Sequence, residues 1–216
     1  MYPAGQENSR ALLKFAVYSR DRPLTTRSQL FRRAPDWFQL GSSQRSQIPE
    51  GLHPWLFEAG SLTRRVRGLC GGDFRLRVLQ QDWLRPFADE SRALRLRPSR
   101  VALVREVALQ CGEQPLVVAR SIIPASILRG AQRHLASLGN RPLGEILFSD
   151  PNLKRLGLEL AVVERAKWLP ERSKALDFAE SSDRIWGRRS LYAVAHGNLL
   201  VAEFFLPSLL KREASL

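Results

Sequence analysis

Three charges sit where the sequence pattern leaves no room for charge. Leu199-Leu200-Val201-Ala202-Glu203-Phe204-Phe205-Leu206 is apolar on both sides of a strand apart from Glu203. Such a strand is buried on both faces, and an isolated carboxylate inside it is costly unless neutral, paired or turned toward a ligand. The competing readings for Glu203 are therefore a buried ion pair with an arginine and a site carboxylate. Arg105 poses the same problem, since with period two it shares a face with Val101, Leu103, Val107 and Leu109. Its neighbour Glu106 points to the opposite face. Arg120 shares its own face with Leu116, Val118 and Ile122. If Gly112 and Glu113 centre the intervening hairpin, Arg105 lies directly opposite Arg120. Facing like charges destabilise a sheet unless they flank a shared anion, and a slip of one residue removes the juxtaposition. Periodicity thus points to a largely apolar cavity holding one or two arginines and one carboxylate. That is a site for a small anion with a separate polar group.

The elements that must position these charges follow from pattern and punctuation. Phe74 to Val78 alternates apolar and basic residues, as a half-buried strand does. Val101 to Leu109 and Leu116 to Ile123 are β-rich runs joined by a turn at Cys111 to Gln114. Ser190 to Ala195 and Leu199 to Leu206 flank His196-Gly197-Asn198, a second hairpin signal. Leu158 to Trp168 reads as a further strand, and Leu169 to Asp183 as a charged insertion. Leu52 to Ala59 reads as a short helix closing at Gly60. Pro124 is placed to open a helix carrying Ile127, Leu128, Leu135 and Leu138 on one side, ending at Gly139-Asn140. Leu143 to Phe148 reads as a helical turn. Strands joined by hairpins, with helices grouped between them, imply a single antiparallel α+β domain at residues 51–216. Residues 1–50 read as an N-terminal extension, broken by Pro23, Pro35 and Pro49 and anchored by Trp37, Phe38 and Leu40.

Composition narrows the function. The chain has 216 residues, enough for one domain, and 34 Lys+Arg against 21 Asp+Glu give a net charge of +13. The basic residues are scattered, and most aromatics lie in apolar runs instead of alternating with them. No nucleic-acid interface is expected. No run approaches the roughly 18 apolar residues of a membrane span, and the start lacks a secretory cleavage pattern. Cys70 and Cys111 make neither a metal nor a disulfide framework and are expected reduced in a cytosolic protein. His53, His134 and His196 lie far apart, without metal-ligand spacing. Cys70-Gly71-Gly72 lacks the Lys and the helix of a phosphate loop.

At the anomalous charges the sequence resembles the chorismate lyase family. The pieces that carry the resemblance are Gly60-Ser61-Leu62-Thr63-Arg64-Arg65, Val104-Arg105-Glu106-Val107 and Ala119-Arg120-Ser121. They continue with Leu138-Gly139-Asn140-Arg141-Pro142-Leu143-Gly144, Trp186-Gly187-Arg188-Arg189-Ser190 and Glu203-Phe204-Phe205-Leu206-Pro207. Each piece is weak alone; six in order over residues 52–208 are specific. The resemblance implies a six-stranded antiparallel sheet with helices packed on one side and a pocket closed by helical flaps. It also implies that Arg105 holds a ring carboxylate, that backbone groups at Leu62 and Leu143 complete that anion site, and that Glu203 meets the ring hydroxyl. Residues 1–50 and Lys154 to Asp183 carry more length than the family core requires.

On this reading the chain is a cytoplasmic, cofactor-free lyase that binds no metal, acts as a monomer, and cleaves chorismate to 4-hydroxybenzoate and pyruvate for quinone biosynthesis. Arg105 would hold the ring carboxylate; Arg120, or another basic group near the pocket mouth, would meet the enolpyruvyl carboxylate; Glu203 would orient the hydroxyl and relay a proton. Arg188 and Arg189 are expected to pair with acids structurally, Trp186 to pack in the core, and Lys154, Arg155 and Arg172 to be solvated. Ser61 and Thr63 could cap a turn or touch ligand. The rival reading is a non-catalytic sensor domain of the same fold that binds small anions. Residues 1–50 are short and Pro-broken for the DNA-binding module such sensors carry.

Overall fold

Every position of Ala102–Cys111 is buried, as is every position of Gln114–Pro124 after the first, so these two strands form the middle of a sheet. The computed structural model describes residues 28–39, 41, 46–128, 130–169 and 184–215, without the side chains of 130–133. Among them the strands are β1 (Phe74–Leu84), β2 (Ala102–Cys111), β3 (Gln114–Pro124), β4 (Lys154–Glu164), β5 (Arg184–Val194) and β6 (Gly197–Phe205). They pair antiparallel in the order β1-β2-β3-β6-β5-β4. The α+β domain with a six-stranded antiparallel sheet is the expected one.

Helices α1 (His53–Leu56), α2 (Leu62–Cys70) and α4 (Leu143–Leu147), together with a 3-10 helix at Gly130–Ser137, lie over one face. The far face carries α3 (Ala88–Ala93) and the extended segment from Ser28 to Trp37. Leu30 and Phe31 of that segment pack with Ala108, Val118 and Phe204. Phe38 then exchanges two backbone hydrogen bonds of 2.8 Å with Leu160, covering an edge that β4 would otherwise expose. The anchoring expected of Trp37 and Phe38 is present; Leu40, Arg172 and the segment 170–183 fall outside the described residues.

Several local expectations change. Pro124 does not open a helix: it ends β3, and a turn precedes the 3-10 helix at Gly130–Ser137. Ile127, Leu135 and Leu138 are nonetheless buried together. Helix α1 stops at Leu56, short of Gly60, because Ser61 begins a new helix, its hydroxyl accepting from the Arg64 N–H. That helix, α2, was readable from Ser61 followed by Leu62, Val66 and Leu69 at helical spacing. Cys70 and Cys111 are not free thiols but a disulfide with Cα atoms 5.3 Å apart, tying the end of α2 to the end of β2.

The most consequential change is one of register. Near the turn Cys111 pairs with Gln114 and Gln110 with Pro115, as a hairpin centred on Gly112-Glu113 requires. A bulge then intervenes, so Leu109 pairs with Val117 and Leu116 is the extra residue. Pro115 has no N–H to give the ladder, and its carbonyl accepts instead from the Ser208 hydroxyl. Beyond the bulge Arg105 stands opposite Ser121, and Arg120 opposite Glu106. The two arginines therefore point to opposite faces. Arg120 is 2% exposed on the far face, clamped by Glu90 at 2.7 Å and Glu106 at 2.8 Å. Burial alone would lower its pKa, but the two carboxylates outweigh that and raise it above the ordinary arginine value. Glu90 also accepts from the Phe87 N–H, and Glu106 from the Ser28 hydroxyl and the Gln29 N–H, so both acids are saturated.

Two outcomes follow. Arg120→Met should lower the unfolding free energy by about 3–5 kcal/mol in denaturant titration, because two carboxylates stay buried without their cation. Reducing the disulfide should cost about 2–4 kcal/mol, read by comparing unfolding curves with and without dithiol, because a 41-residue separation is no longer closed in the unfolded chain.

Candidate active site

Alternation along the central strands gives the near face its chemistry. Arg105 and Val107 of β2, Ala119 and Ser121 of β3, and Val201 and Glu203 of β6 all line one cavity. Tyr192 of β5 closes one wall, and Leu62, Thr63, Leu143 and Gly144 form the roof. The two roof helices meet closely: a Cβ at Gly144 would lie 3.1 Å from the Thr63 hydroxyl. Leu62 and Leu143 are the first residues of α2 and α4, so their N–H groups have no partner within their own helix. The space is narrow and lies between the sheet and these two helices.

Arg105 is 2% exposed. Its guanidinium donates to the Gln81 side-chain oxygen, to the Gly139 carbonyl at 2.9 Å and to the Arg141 carbonyl at 3.2 Å. All three acceptors are neutral. Burial lowers its pKa with no carboxylate to reverse the shift, which is the state of a cation awaiting an anionic ligand. The carbonyls of Gly139 and Arg141 come from the loop ahead of α4, where Gly139 takes φ 54°, so this loop both orients Arg105 and leads into the roof.

Glu203 is paired with an arginine and also lines the cavity. One of its oxygens accepts from Arg188 Nε at 2.6 Å. Arg188 is buried, and its Nη1 donates to the carbonyls of Trp55 at 3.0 Å, Leu56 at 3.3 Å and Glu58 at 2.8 Å. The cation thus collects the orphan carbonyls at the end of α1 and holds Glu203 against the cavity floor. The pairing expected of Arg188 is present, with Glu203 as partner. Arg189, the next residue, faces the far side and pairs with Asp89 and Glu159. Burial raises the Asp89 pKa, and Arg189 partly opposes the rise.

Of the residues singled out in the sequence, Arg105, Glu203, Leu62 and Leu143 surround one cavity. Arg120 does not reach it, for the register reason given above. Ser61 caps α2, whereas Thr63 lines the cavity. Sequence reasoning passed over Gln81, Tyr192 and Arg155. Arg155 is not a solvated charge: it is half-buried and donates to the Tyr192 hydroxyl at 3.0 Å and to the Glu58 carbonyl at 3.0 Å. Among the described residues no group of three His, Cys, Asp or Glu side chains could hold a metal ion, and no helix is long and apolar enough to cross a membrane.

The sequence matches the family described as chorismate lyase over residues 18–215. A relative from Methylococcus capsulatus named "Probable chorismate pyruvate-lyase" is 52% identical over 159 residues, covering 74% of this chain and 96% of its own. A relative of the same name from Pseudomonas aeruginosa is 39% identical over 170 residues, covering 79% and 91%. Among solved structures, the C-terminal domain of the histidine utilization repressor from Pseudomonas syringae superposes with a TM-score of 0.49 at 12% identity, over 62% of this chain and 92% of that one. With a family match over most of its length and relatives this similar, the chain belongs to the chorismate lyase family.

Proposed function

We propose that this protein eliminates pyruvate from chorismate to give 4-hydroxybenzoate, for quinone biosynthesis. The observation that carries the reading is one enclosed, mostly apolar cavity lined by both Arg105, a buried cation with no carboxylate partner among the described residues, and Glu203, a carboxylate held by Arg188. Arg105 would grip the ring carboxylate and fix the ring. The N–H groups at the starts of α2 and α4, on Leu62 and Leu143, would complete that anion site. Glu203 would orient the ring hydroxyl.

In the reaction the ring carbon bearing the hydroxyl loses its hydrogen as a proton. The C–O bond to the enolpyruvyl group breaks, and the electron pair of the C–H bond closes the aromatic ring. The departing enolate takes up a proton at its methylene carbon and leaves as pyruvate. Aromatisation supplies the driving force, so positioning and modest proton transfer suffice, with Glu203 as the group that moves the proton. Such a reaction calls on no organic cofactor or metal.

Chorismate is a dianion that does not cross a bilayer unaided, which supports a cytoplasmic enzyme working where its substrate is held. Every described residue that lines the cavity falls within residues 51–216, and the described part of the extension before them packs on the far face.

The test is incubation of the purified protein with chorismate without added metal, identifying the aromatic product and pyruvate. Arg105→Ala should lower kcat/KM about 100-fold or more, corresponding to roughly 3 kcal/mol of lost transition-state binding. Glu203→Gln should lower kcat by about 100-fold or more. Near wild-type turnover in both variants, with circular dichroism showing each folded, would refute the assignment.

A further inference from the structure

The cavity is richer in positive charge than one ring carboxylate requires. Arg105 lines it, and two more guanidiniums stand directly behind its lining: Arg188 on Glu203 and Arg155 on Tyr192. Arg188 and Arg155 converge on the same Glu58 carbonyl, at 2.8 and 3.0 Å. The Glu58 side chain pairs with Arg65 and accepts from the Gly60 N–H, and its charge also acts on Arg188. Arg188 is answered further by Glu203. Among the described residues Arg105 and Arg155 are ion-paired to no carboxylate, the first in the cavity lining and the second behind Tyr192.

Tyr192 connects Arg155 to the cavity. Its side chain lines the space, and its hydroxyl accepts from Arg155 Nη2 at 3.0 Å and Nε at 3.3 Å. With the oxygen accepting, the hydroxyl proton is left to donate, and among the described residues it has no acceptor. Arg155 reaches this position by a local irregularity. Between Arg155 and Gly157 the β4–β5 register shifts, so Arg155 pairs with Tyr192 and Leu156 is the extra residue. Without the bulge Leu156 would continue the inward row of Leu158 and Leu160. With it, Leu156 is turned to solvent at 55% exposure and Arg155 is turned in. Exposing a leucine to bring a guanidinium behind a tyrosine makes sense where that guanidinium meets an anion.

We infer that Tyr192, backed by Arg155, forms a second carboxylate subsite that receives the enolpyruvyl carboxylate and selects a dianion over a monoanion. This rests on the chorismate reading of the same cavity. Tyr192 Oη donates to the carboxylate, while Arg155 is a positioning residue that polarises the hydroxyl and supplies the charge behind it. The role that sequence reasoning gave to Arg120 passes to this pair.

The experiment measures steady-state turnover of chorismate and, by titration, the binding of 4-hydroxybenzoate, which has one carboxylate and should not use the subsite. In Tyr192→Phe and in Arg155→Met the KM for chorismate should rise about tenfold, the scale of one charge-assisted contact. The kcat should stay within about twofold, and the Kd for 4-hydroxybenzoate should be unchanged. Arg155→Lys should recover part of the KM. An unchanged KM in both variants overturns the subsite, and so does a parallel loss of affinity for both ligands, which would mark Arg155 as scaffold only. Tyr192→Phe keeps the ring packed against Phe148, so a folding failure of Arg155→Met leaves the phenylalanine variant to decide. Absence of turnover by the unmodified protein would instead refute the underlying reaction, and the subsite with it.

Discussion

Charge buried inside a sheet must be answered, and this fold answers it differently on its two faces. On the far face Arg120 is enclosed by Glu90 and Glu106, and each acid takes further donors from the backbone or a hydroxyl. That cluster is closed and has nothing left to offer a ligand. On the near face Arg105 meets only neutral oxygens, and the one carboxylate that lines the cavity among the described residues, Glu203, is paired with Arg188. Desolvating a cation without an anion is unfavourable, and the deficit persists until an anionic ligand arrives. Binding affinity is in this sense prepaid by folding, since the rest of the domain holds the unanswered charge in place.

Two bulges decide which charges take part. The extra residue Leu116 in β3 turns Arg120 away from Arg105 and into the far-face cluster. The extra residue Leu156 in β4 does the reverse, bringing Arg155 in behind Tyr192. A bulge changes the parity of everything beyond it, so one inserted residue exchanges the two faces of a strand. Neither is at a glycine. The first follows a proline that cannot serve the ladder; the second costs an exposed leucine.

This explains which parts could be read from the sequence. Parity within one uninterrupted strand is local, so Arg105 among Val101, Leu103 and Val107, and Glu203 among apolar residues, were legible as buried charges. Hairpins at Gly112 and Gly197 were legible because both need positive φ there. Parity across a hairpin was not, because Pro115 signals an irregular strand start without saying where the extra residue goes. Arg155 looked solvated for the same reason: its sequence neighbours are basic and apolar in no telling order, and only the bulge gives it a buried side. Cysteine pairing was illegible for a different cause. Two cysteines far apart in sequence carry no spacing signal, and only the closure of α2 onto β2 brings Cys70 to Cys111.

Arg188 ties the chemistry to access. Its Nε holds Glu203 while its Nη1 gathers the carbonyls of Trp55, Leu56 and Glu58, the residues leading into Ser61 and α2. At the opposite end of the cavity, Arg105 is held by carbonyls of the Gly139–Arg141 loop that leads into α4. Each roof helix is therefore hydrogen-bonded, through its approach segment, to one of the two guanidiniums that frame the cavity floor. A ligand carboxylate drawn to Arg105 competes with those loop carbonyls for the same donors. A carboxylate at Tyr192 likewise draws on the Arg155 that shares the Glu58 carbonyl with Arg188. Anion binding and the set of the roof thus act on the same hydrogen bonds. The disulfide at the far end of α2 ties that helix to the end of β2, at the end away from the residues that roof the cavity.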